Sequence, residues 1–217
     1  MEKDWTGNSK TTFVTIGASN HVEEERAEWD FYATDPIATK ALMNKIKFNG
    51  LIWEPACGQG HMVKPIVDAG YEVYESDIIY RGFGKEENFP LDFLKDPIPK
   101  EIKDRPFDII TNPPYAKAKE FIESAIEKLN SQKPASWWPK RKIAMFLKVT
   151  FLEGQKRYEL FKKYPPKEII VFPSRIKCAR NGNFEGVGSS AVAYSWWIWE
   201  EGHEGKPTID WFPPVLE

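Results

Sequence analysis

One four-residue segment, Asn112-Pro113-Pro114-Tyr115, combines the groups needed to hold a planar amino group. Two consecutive prolines lack N–H groups and have a fixed φ, so the segment should form a stiff loop. The Asn112 side-chain oxygen and the Pro113 carbonyl could each accept one hydrogen of an amino group, which would orient its lone pair towards an electrophile. The Tyr115 ring could stack on a flat base. Prolines can also simply end a strand, so the catalytic interpretation depends on the neighbouring motifs.

A second segment, Glu54 to Gly60, has the pattern of a nucleotide-binding turn. It follows a short hydrophobic run, and Gly58 and Gly60 would let the backbone approach a ligand closely. The pattern departs from the dinucleotide fingerprint because Val63 stands where the last glycine is needed. The Gly-Lys-Ser/Thr of a phosphate-binding loop is also missing. A glycine turn alone is weak evidence for any ligand.

Two acidic positions downstream make the ligand more specific. Asp77 lies 17 residues after Gly60, about where a carboxylate accepts hydrogen bonds from both hydroxyls of an adenosine ribose. Asp92 and Phe93 follow at a position suited to contact an adenine ring. Each acid alone could be a helix cap or a solvated loop residue. Together they favour a cofactor that contains adenosine but no phosphates, and S-adenosylmethionine is such a molecule.

The hydrophobic pattern predicts how these segments are positioned. Helical spacing is found at 36–46, 61–70, 118–129 and 154–164. Seven strands are predicted at 51–53, 71–79, 88–94, 107–110, 142–149, 168–172 and 191–199. Their alternation with helices predicts an α/β fold with a mostly parallel sheet, in which ligands bind at the carboxyl ends of the strands. No helix separates the last two strands, so we expect the seventh to be antiparallel, between the fifth and the sixth.

Composition sets broad limits. The 217 residues, 41% of them hydrophobic, suit one catalytic domain at 29–217 preceded by a polar arm at 1–28. The net charge of −2 argues against a uniformly basic nucleic-acid-binding surface. Cys57 and Cys178 form no metal-ligand set and suggest the reducing cytoplasm. The sequence has no apolar run of membrane-spanning length. We expect neither metal nor membrane as a partner, and the oligomeric state is open.

Two basic segments could contact nucleic acid near the catalytic edge of the sheet, although both could also be solvated loops. The first, at 133–142, contains the candidates Trp137, Trp138, Lys140 and Arg141. The second, at 174–184, contains Arg175, Lys177 and Arg180.

These motifs resemble the S-adenosylmethionine-dependent amino-group methyltransferases that carry an (Asp/Asn/Ser)-Pro-Pro-(Tyr/Phe/Trp) motif. The chain is most similar to adenine-N6 DNA methyltransferases, and among them to small phage or prophage-encoded members. The resemblance implies a Rossmann-like class I methyltransferase fold, with Asn112, Pro113, Pro114 and Tyr115 as the catalytic loop. It further implies that the cofactor is contacted by Tyr32, Thr34, Glu54, Pro55, Ala56, Cys57, Gly58, Gly60, Asp77, Ile78, Asp92, Phe93 and Asn112.

The spacing of the motifs also bears on the substrate. Only 19 residues separate Asp92 from Asn112, and the chain ends soon after the seventh predicted strand, so no full target-recognition domain is expected. DNA is the expected partner, and RNA is possible. The alternatives are methylation of an amino group in RNA or of a protein glutamine, and a non-catalytic nucleic-acid-binding module with the same fold. The recognition sequence cannot be deduced.

Overall fold

A computed structural model describes residues 31–185 and 192–214, and the arm expected at 1–28 lies outside these residues. The strands are β1 (Tyr32–Thr34), β2 (Leu51–Glu54), β3 (Glu72–Glu75), β4 (Asp108–Thr111), β5 (Lys142–Lys148), β6 (Glu168–Val171), β7 (Cys178–Arg180), β8 (Tyr194–Glu200) and β9 (Thr208–Trp211). The α-helices are α1 (Pro36–Lys45), α2 (Val63–Asp68), α3 (Ala118–Ser131) and α4 (Gln155–Lys163). Short 3-10 helices lie at Glu86–Asn88, Tyr115–Lys117 and Val149–Leu152.

Seven strands form the main sheet, in the order β3-β2-β4-β5-β8-β6-β9. All neighbouring pairs are parallel except those of β8, which runs antiparallel to both β5 and β6. This arrangement confirms the predicted α/β fold, and it confirms the antiparallel last predicted strand between the fifth and the sixth. The described part of the link from β6 to β8 contains no helix, whereas a parallel crossover usually needs one.

The composition of the sheet differs from the prediction at both edges. Residues 88–94, predicted to be the third strand, contain the last residue of a 3-10 helix followed by loop and turn residues, and they form no strand. Pro90 has no N–H to donate to a ladder, and the Asp92 carboxylate accepts a hydrogen bond from the Leu94 amide in a local turn. The seventh strand is instead β9, which pairs with β6 beyond the predicted end of the sheet.

Helices cover both faces of the sheet because side chains alternate along its strands. On one face, Trp53 of β2 and Met145 of β5 pack with α3 and α4. On the other face, Ile52 and Phe146 from the same two strands pack with α1 and α2. Helix α1 begins where Pro36 follows Asp35, whose side chain accepts a hydrogen bond from the Ile37 amide. Burial on both faces fixes the strands, and therefore the positions of the loops at their carboxyl ends.

A second, two-stranded sheet was not predicted. Strand β1 pairs antiparallel with β7, with Tyr32 opposite Arg180 and Thr34 opposite Cys178. The Asp35 amide donates to the Lys177 carbonyl, which extends this pairing. The pairing places the basic segment at 174–184 beside the segment that precedes α1.

None of the helices in residues 31–185 and 192–214 is long and apolar enough to cross a membrane. Within the same residues, no group of three or more His, Cys, Asp or Glu side chains is arranged to hold a metal ion.

Candidate active site

Asn112 directly follows the central strand β4, and its side chain is fixed in one orientation. Its Nδ2 donates to the Tyr32 carbonyl at 3.0 Å and to Thr34 Oγ1 at 2.9 Å. A carbonyl only accepts hydrogen bonds, so the amide nitrogen must face Tyr32 and the amide oxygen must point away from it. Asn112 Oδ1 is buried and has no hydrogen-bond partner among the described residues. The side chain therefore offers an oriented acceptor that a ligand N–H could satisfy.

Tyr115 closes the loop as a restrained, neutral ring. Its hydroxyl is 2.7 Å from the hydroxyl of Tyr194, and its ring centroid is 5.3 Å from that of Tyr32. The Lys148 ammonium lies over the ring, 4.3 Å from its centroid. Burial raises the pKa of Tyr115 far above its usual value, so the phenol stays protonated. The ring can serve as a stacking surface.

The turn after β2 is organised by two carboxylates. The Ala56 amide donates to Glu54 Oε1 at 3.1 Å, and the Gly58 amide donates to Asp77 Oδ2 at 2.9 Å. Gly58 has a positive φ of 54°, and a Cβ at this position would lie 2.3 Å from the ring of Phe31. Glycine is therefore required here by the backbone conformation and by the packing of Phe31 against the turn.

Asp77 is nearly buried and still has acceptor capacity. Its Oδ1 accepts from the Ile79 amide at 3.1 Å, while its Oδ2 accepts from Gly58. Burial raises its pKa, and these amide donors and the nearby Arg81 oppose the rise. Each carboxylate oxygen has two lone-pair directions, so each can accept one further hydrogen bond.

A cleft joins the Asn112 loop to the Asp77 turn and encloses about 650 Å³ of empty space, part of it open to solvent. The predicted site residues that line it are Tyr32, Thr34, Ala56, Cys57, Asp77, Ile78, Asn112, Pro113, Pro114 and Tyr115. Five further lining residues were not predicted as site residues: Phe31, Ala33, His61, Met62 and Arg81. The signal that could have found Phe31 and Arg81 is their position, one residue before Tyr32 and four residues after Asp77.

Other predicted cofactor contacts lie outside this lining. Glu54, Pro55, Gly58 and Gly60 are buried in the turn that shapes the cleft. Phe93 belongs to the hydrophobic core, where its ring centroid is 5.1 Å from that of Trp53.

Asp92 does not line the cleft either. Its carboxylate forms an ion pair of 2.9 Å with Lys95. The preceding residue, Leu91, donates its amide hydrogen to the Asp77 carbonyl, so Asp92 lies near the Asp77 turn. The structure therefore gives Phe93 a packing role and leaves Asp92 beside the site.

Glu54 should make the stability of the folded protein depend on pH. Burial raises its pKa from 4.5 to about 8, so between these values the folded protein keeps a proton that the unfolded chain releases. The free energy of unfolding should therefore fall as pH rises through this window, by about 1 kcal/mol between pH 7 and 8. Denaturant titrations should show that Glu54→Gln removes this fall, whereas Glu87→Gln, at an exposed position, keeps it. An unchanged pH slope in Glu54→Gln would contradict the assignment.

The first basic segment lies at the opposite edge of the sheet from the cleft, which corrects the expectation that it is near the catalytic edge. It precedes β5, and β5 runs parallel to β4, so the segment lies at the amino ends of these strands. Lys140 is held there through its carbonyl, which accepts from Asn49 Nδ2 at 3.2 Å. Trp137 is 74% exposed, and Trp138 packs beneath Arg141.

Arg141 is a structural residue, not an exposed phosphate contact. Only 1% of it is accessible, and its guanidinium donates to both carboxylate oxygens of Glu201 and to Gln132 Oε1. The sequence suggested otherwise because Glu201 is distant along the chain.

We expect Arg141→Ala to lower the free energy of unfolding by about 2 kcal/mol, because it removes hydrogen bonds between charged groups. Urea denaturation checks this value, with Lys140→Ala as the exposed neighbour that should change it little. If Arg141→Ala weakened DNA binding without lowering stability, the structural role would be wrong.

The second basic segment lies at the cleft. Arg175, Lys177 and Arg180 are exposed, and Arg180 belongs to β7, which pairs with β1 of the cleft wall. Beyond β7, the ring of Phe184 packs against His61, with centroids 5.4 Å apart. Arg180 lies opposite Tyr32 in this pairing, and the Lys177 carbonyl accepts from the Asp35 amide, so this segment is held against β1 although none of the three cations lines the cleft.

No family model matches this chain, and no curated protein matches its sequence. Solved structures do match. A modification subunit of a type I restriction enzyme from Vibrio vulnificus, itself a provisional assignment, is 14% identical with a TM-score of 0.51. The match covers 92% of this chain and 48% of that one, so this chain spans about half the length of the subunit.

Two further matches span most of both proteins. A protein from Pyrococcus horikoshii, provisionally assigned as an RNA methyltransferase, is 13% identical with a TM-score of 0.51, over 88% of this chain and 98% of its own. A protein from Lactococcus lactis, provisionally described as a hemolysin, is 10% identical with a TM-score of 0.54, over 81% and 91%. At such identities the likeness concerns the fold alone. The chain shares with these structures a Rossmann-like α/β fold, a seven-stranded sheet with one antiparallel strand.

Proposed function

We propose that the protein is an S-adenosylmethionine-dependent methyltransferase that methylates the exocyclic N6 of adenine in DNA. The observation that carries this proposal is the buried, unpaired Oδ1 of Asn112, in a cleft that Asp77 also lines. An unsatisfied buried acceptor usually costs about 1–3 kcal/mol, so a chain that keeps one at a cleft is expected to use it. This argues against a non-catalytic binding module, which has no need for that acceptor.

The cleft suits a cofactor that has adenosine and no phosphates. Both oxygens of Asp77 accept amide hydrogen bonds, and a carboxylate has about four lone-pair sites, so Asp77 could also accept from the two hydroxyls of a ribose. The lining contains one carboxylate, Asp77, and one guanidinium, Arg81, rather than a cluster of cations. Tyr32 and Thr34 border the same cleft on the side of Asn112. These residues would hold S-adenosylmethionine, which when bound supplies an electrophilic methyl group carried on a sulfonium.

The chain's own residues would prepare the amino group for attack. Asn112 Oδ1 and the Pro113 carbonyl would accept its two hydrogens, which holds the nitrogen lone pair towards the cofactor and offsets the positive charge that develops. Tyr115 would stack on the adenine ring. No strong general base is needed, because the methylated nitrogen is acidic enough to lose its extra proton to water. The target nitrogen cannot be reached inside a duplex, so the base would be turned out into the cleft.

DNA is favoured over other amino-group substrates by two observations. The sequence motifs resemble adenine-N6 DNA methyltransferases, whereas the structures with the same fold include both a provisional restriction-enzyme modification subunit and a provisional RNA methyltransferase. Exposed Arg175, Lys177 and Arg180, on the segment that pairs with β1, could neutralise backbone phosphates. Such a reaction would take place in the cytoplasm of a bacterium, or of a phage host if the chain is phage-encoded.

The test is to incubate the protein with methyl-labelled S-adenosylmethionine and separate pools of DNA, RNA and protein. We expect label in DNA, recovered as N6-methyl-2′-deoxyadenosine after digestion to deoxynucleosides. Label confined to RNA would mean that the substrate is RNA instead of DNA, and the proposed amino-group chemistry would stand. Label confined to protein glutamine would contradict the nucleic-acid assignment. No transfer to any pool, with cofactor binding intact, would support the binding-module alternative.

A further inference from the structure

Tyr194 touches the catalytic loop from inside the protein. It is the first residue of β8, it is 4% exposed, and its ring stacks on Phe146 with centroids 4.8 Å apart and an interplanar angle of 12°. Its hydroxyl lies 2.7 Å from the hydroxyl of Tyr115. A buried, stacked ring at the start of a central strand has little rotamer freedom. Tyr194 is therefore a rigid anchor for the more exposed Tyr115.

The contact joins two neutral groups. Burial raises the pKa of both phenols, so neither hydroxyl ionises at physiological pH. One hydroxyl donates to the other, and the Cys178 thiol interacts with both. A hydroxyl buried without a partner is costly, so the link holds the far end of the Tyr115 ring in place.

We propose that Tyr194 is a positioning residue that fixes the orientation of the Tyr115 ring on which the target base stacks. The inference rests on the proposed function, since it concerns how the same site receives its base. A phenol ring turns about two side-chain torsions. A hydrogen bond at the hydroxyl fixes the position of the oxygen and so restrains the first torsion directly, and it restrains the second because a phenol O–H prefers to lie in the plane of the ring. The stacking surface is thereby set before the base arrives, which lowers the entropy lost when the base enters.

This role differs from stacking alone in one prediction. If stacking were the whole contribution of Tyr115, Tyr115→Phe would be tolerated, because phenylalanine keeps the ring. If the link to Tyr194 orients the ring, Tyr115→Phe and Tyr194→Phe each break that hydroxyl–hydroxyl hydrogen bond, and the hydroxyl that remains keeps the Cys178 thiol as a partner. The two substitutions should then lower the rate by similar factors, and the double variant should be little worse than either single one.

The experiment is this double-mutant cycle on the nucleic acid that the wild-type protein labels, with kcat and KM measured for that substrate and for S-adenosylmethionine. We expect each single variant to lose roughly tenfold in kcat/KM for the nucleic acid, as for one hydrogen bond. The double variant should lose about the same, with cofactor affinity unchanged. Tyr158→Phe, at an exposed ring on α4, should match wild type.

A second readout reports the base itself. An oligonucleotide with 2-aminopurine in place of the target adenine should show altered fluorescence on binding when its base leaves the duplex stack and meets Tyr115. The two phenylalanine variants should alter this signal equally. Multiplicative losses in the double variant, or a fully active Tyr194→Phe, would overturn the proposal. Label in RNA instead of DNA would change only the substrate, because the same cycle can be run on that RNA.

Discussion

Asn112→Ala should abolish methyl transfer while leaving S-adenosylmethionine binding nearly intact. The substitution removes Asn112 Oδ1, which has no partner among the described residues and which the hydrogen bonds of Nδ2 to Tyr32 and Thr34 orient. Loss of one preorganised group that stabilises developing charge typically costs on the order of 10²–10³-fold in kcat. Asn112 also orients the target amino nitrogen, so we expect the loss in kcat to reach or exceed the upper end of this range. Single-turnover transfer of labelled methyl to DNA measures it directly.

A conservative change at the same position tests the geometry. Asn112→Asp keeps an acceptor oxygen, but its second oxygen would face the Tyr32 carbonyl, where the native amide donates at 3.0 Å. Two acceptors cannot share a hydrogen bond, so the carboxylate should turn away or stay misaligned, and activity should also fall sharply. Asn130→Ala, at an exposed position on α3, is the matched control and should transfer normally. Wild-type activity in Asn112→Ala would refute the catalytic role.

The sequence was sufficient to predict the parts of the fold that have strong local patterns. Strand β4 ends at Thr111, and the turn after β2 begins at Pro55, as their hydrophobic runs and prolines indicated. The carboxyl ends of parallel strands meet at one edge of a sheet, so the predicted motifs were expected to converge. The cleft contains Asn112, Tyr115 and Asp77 together. The single domain expected at 29–217 stays a prediction.

Features that depend on distant pairing were not predicted. Strands β1 and β7 have three residues each, and neither could be recognised without the other. Their pairing brings Tyr32 and Thr34 to Asn112. The exposed edge strand β9 has no clear hydrophobic alternation of its own and is defined by its ladder with β6.

Local composition was also a poor guide to which basic and aromatic residues are available to a ligand. Trp138 and Arg141 stand in a segment that resembles a nucleic-acid contact, because aromatic and basic residues alternate there. Whether a guanidinium is available to a ligand depends on its partners in the folded protein, and Arg141 is already paired with Glu201. Phe93 shows the same limitation for aromatic residues, since a ring near a binding motif can equally well fill the core.

Asp77→Ala should weaken S-adenosylmethionine binding by about 2–3 kcal/mol, the usual cost of losing charge-assisted hydrogen bonds. This corresponds to roughly a 30- to 150-fold rise in the dissociation constant measured by calorimetry. Asp77 also accepts from the amides of Gly58 and Ile79, so alanine should loosen the turn and lower the stability of the cofactor-free protein. Unfolding curves recorded without cofactor measure that part separately.

A matched substitution separates the two contributions. Asp108→Ala removes a buried carboxylate that also accepts from two backbone amides, those of Asn49 and Lys142, but lies at the amino end of β4, away from the cleft. It should lower stability with little change in cofactor affinity, whereas Asp77→Ala should change both. The affinity of the wild-type protein for the cofactor should also fall on acidification, because a protonated Asp77 accepts hydrogen bonds from ribose hydroxyls poorly. Burial raises the pKa of Asp77, so this fall should begin at a higher pH than the pKa of an ordinary aspartate would give. Unchanged affinity in Asp77→Ala would remove Asp77 from the cofactor site, and the turn would then have only a structural role.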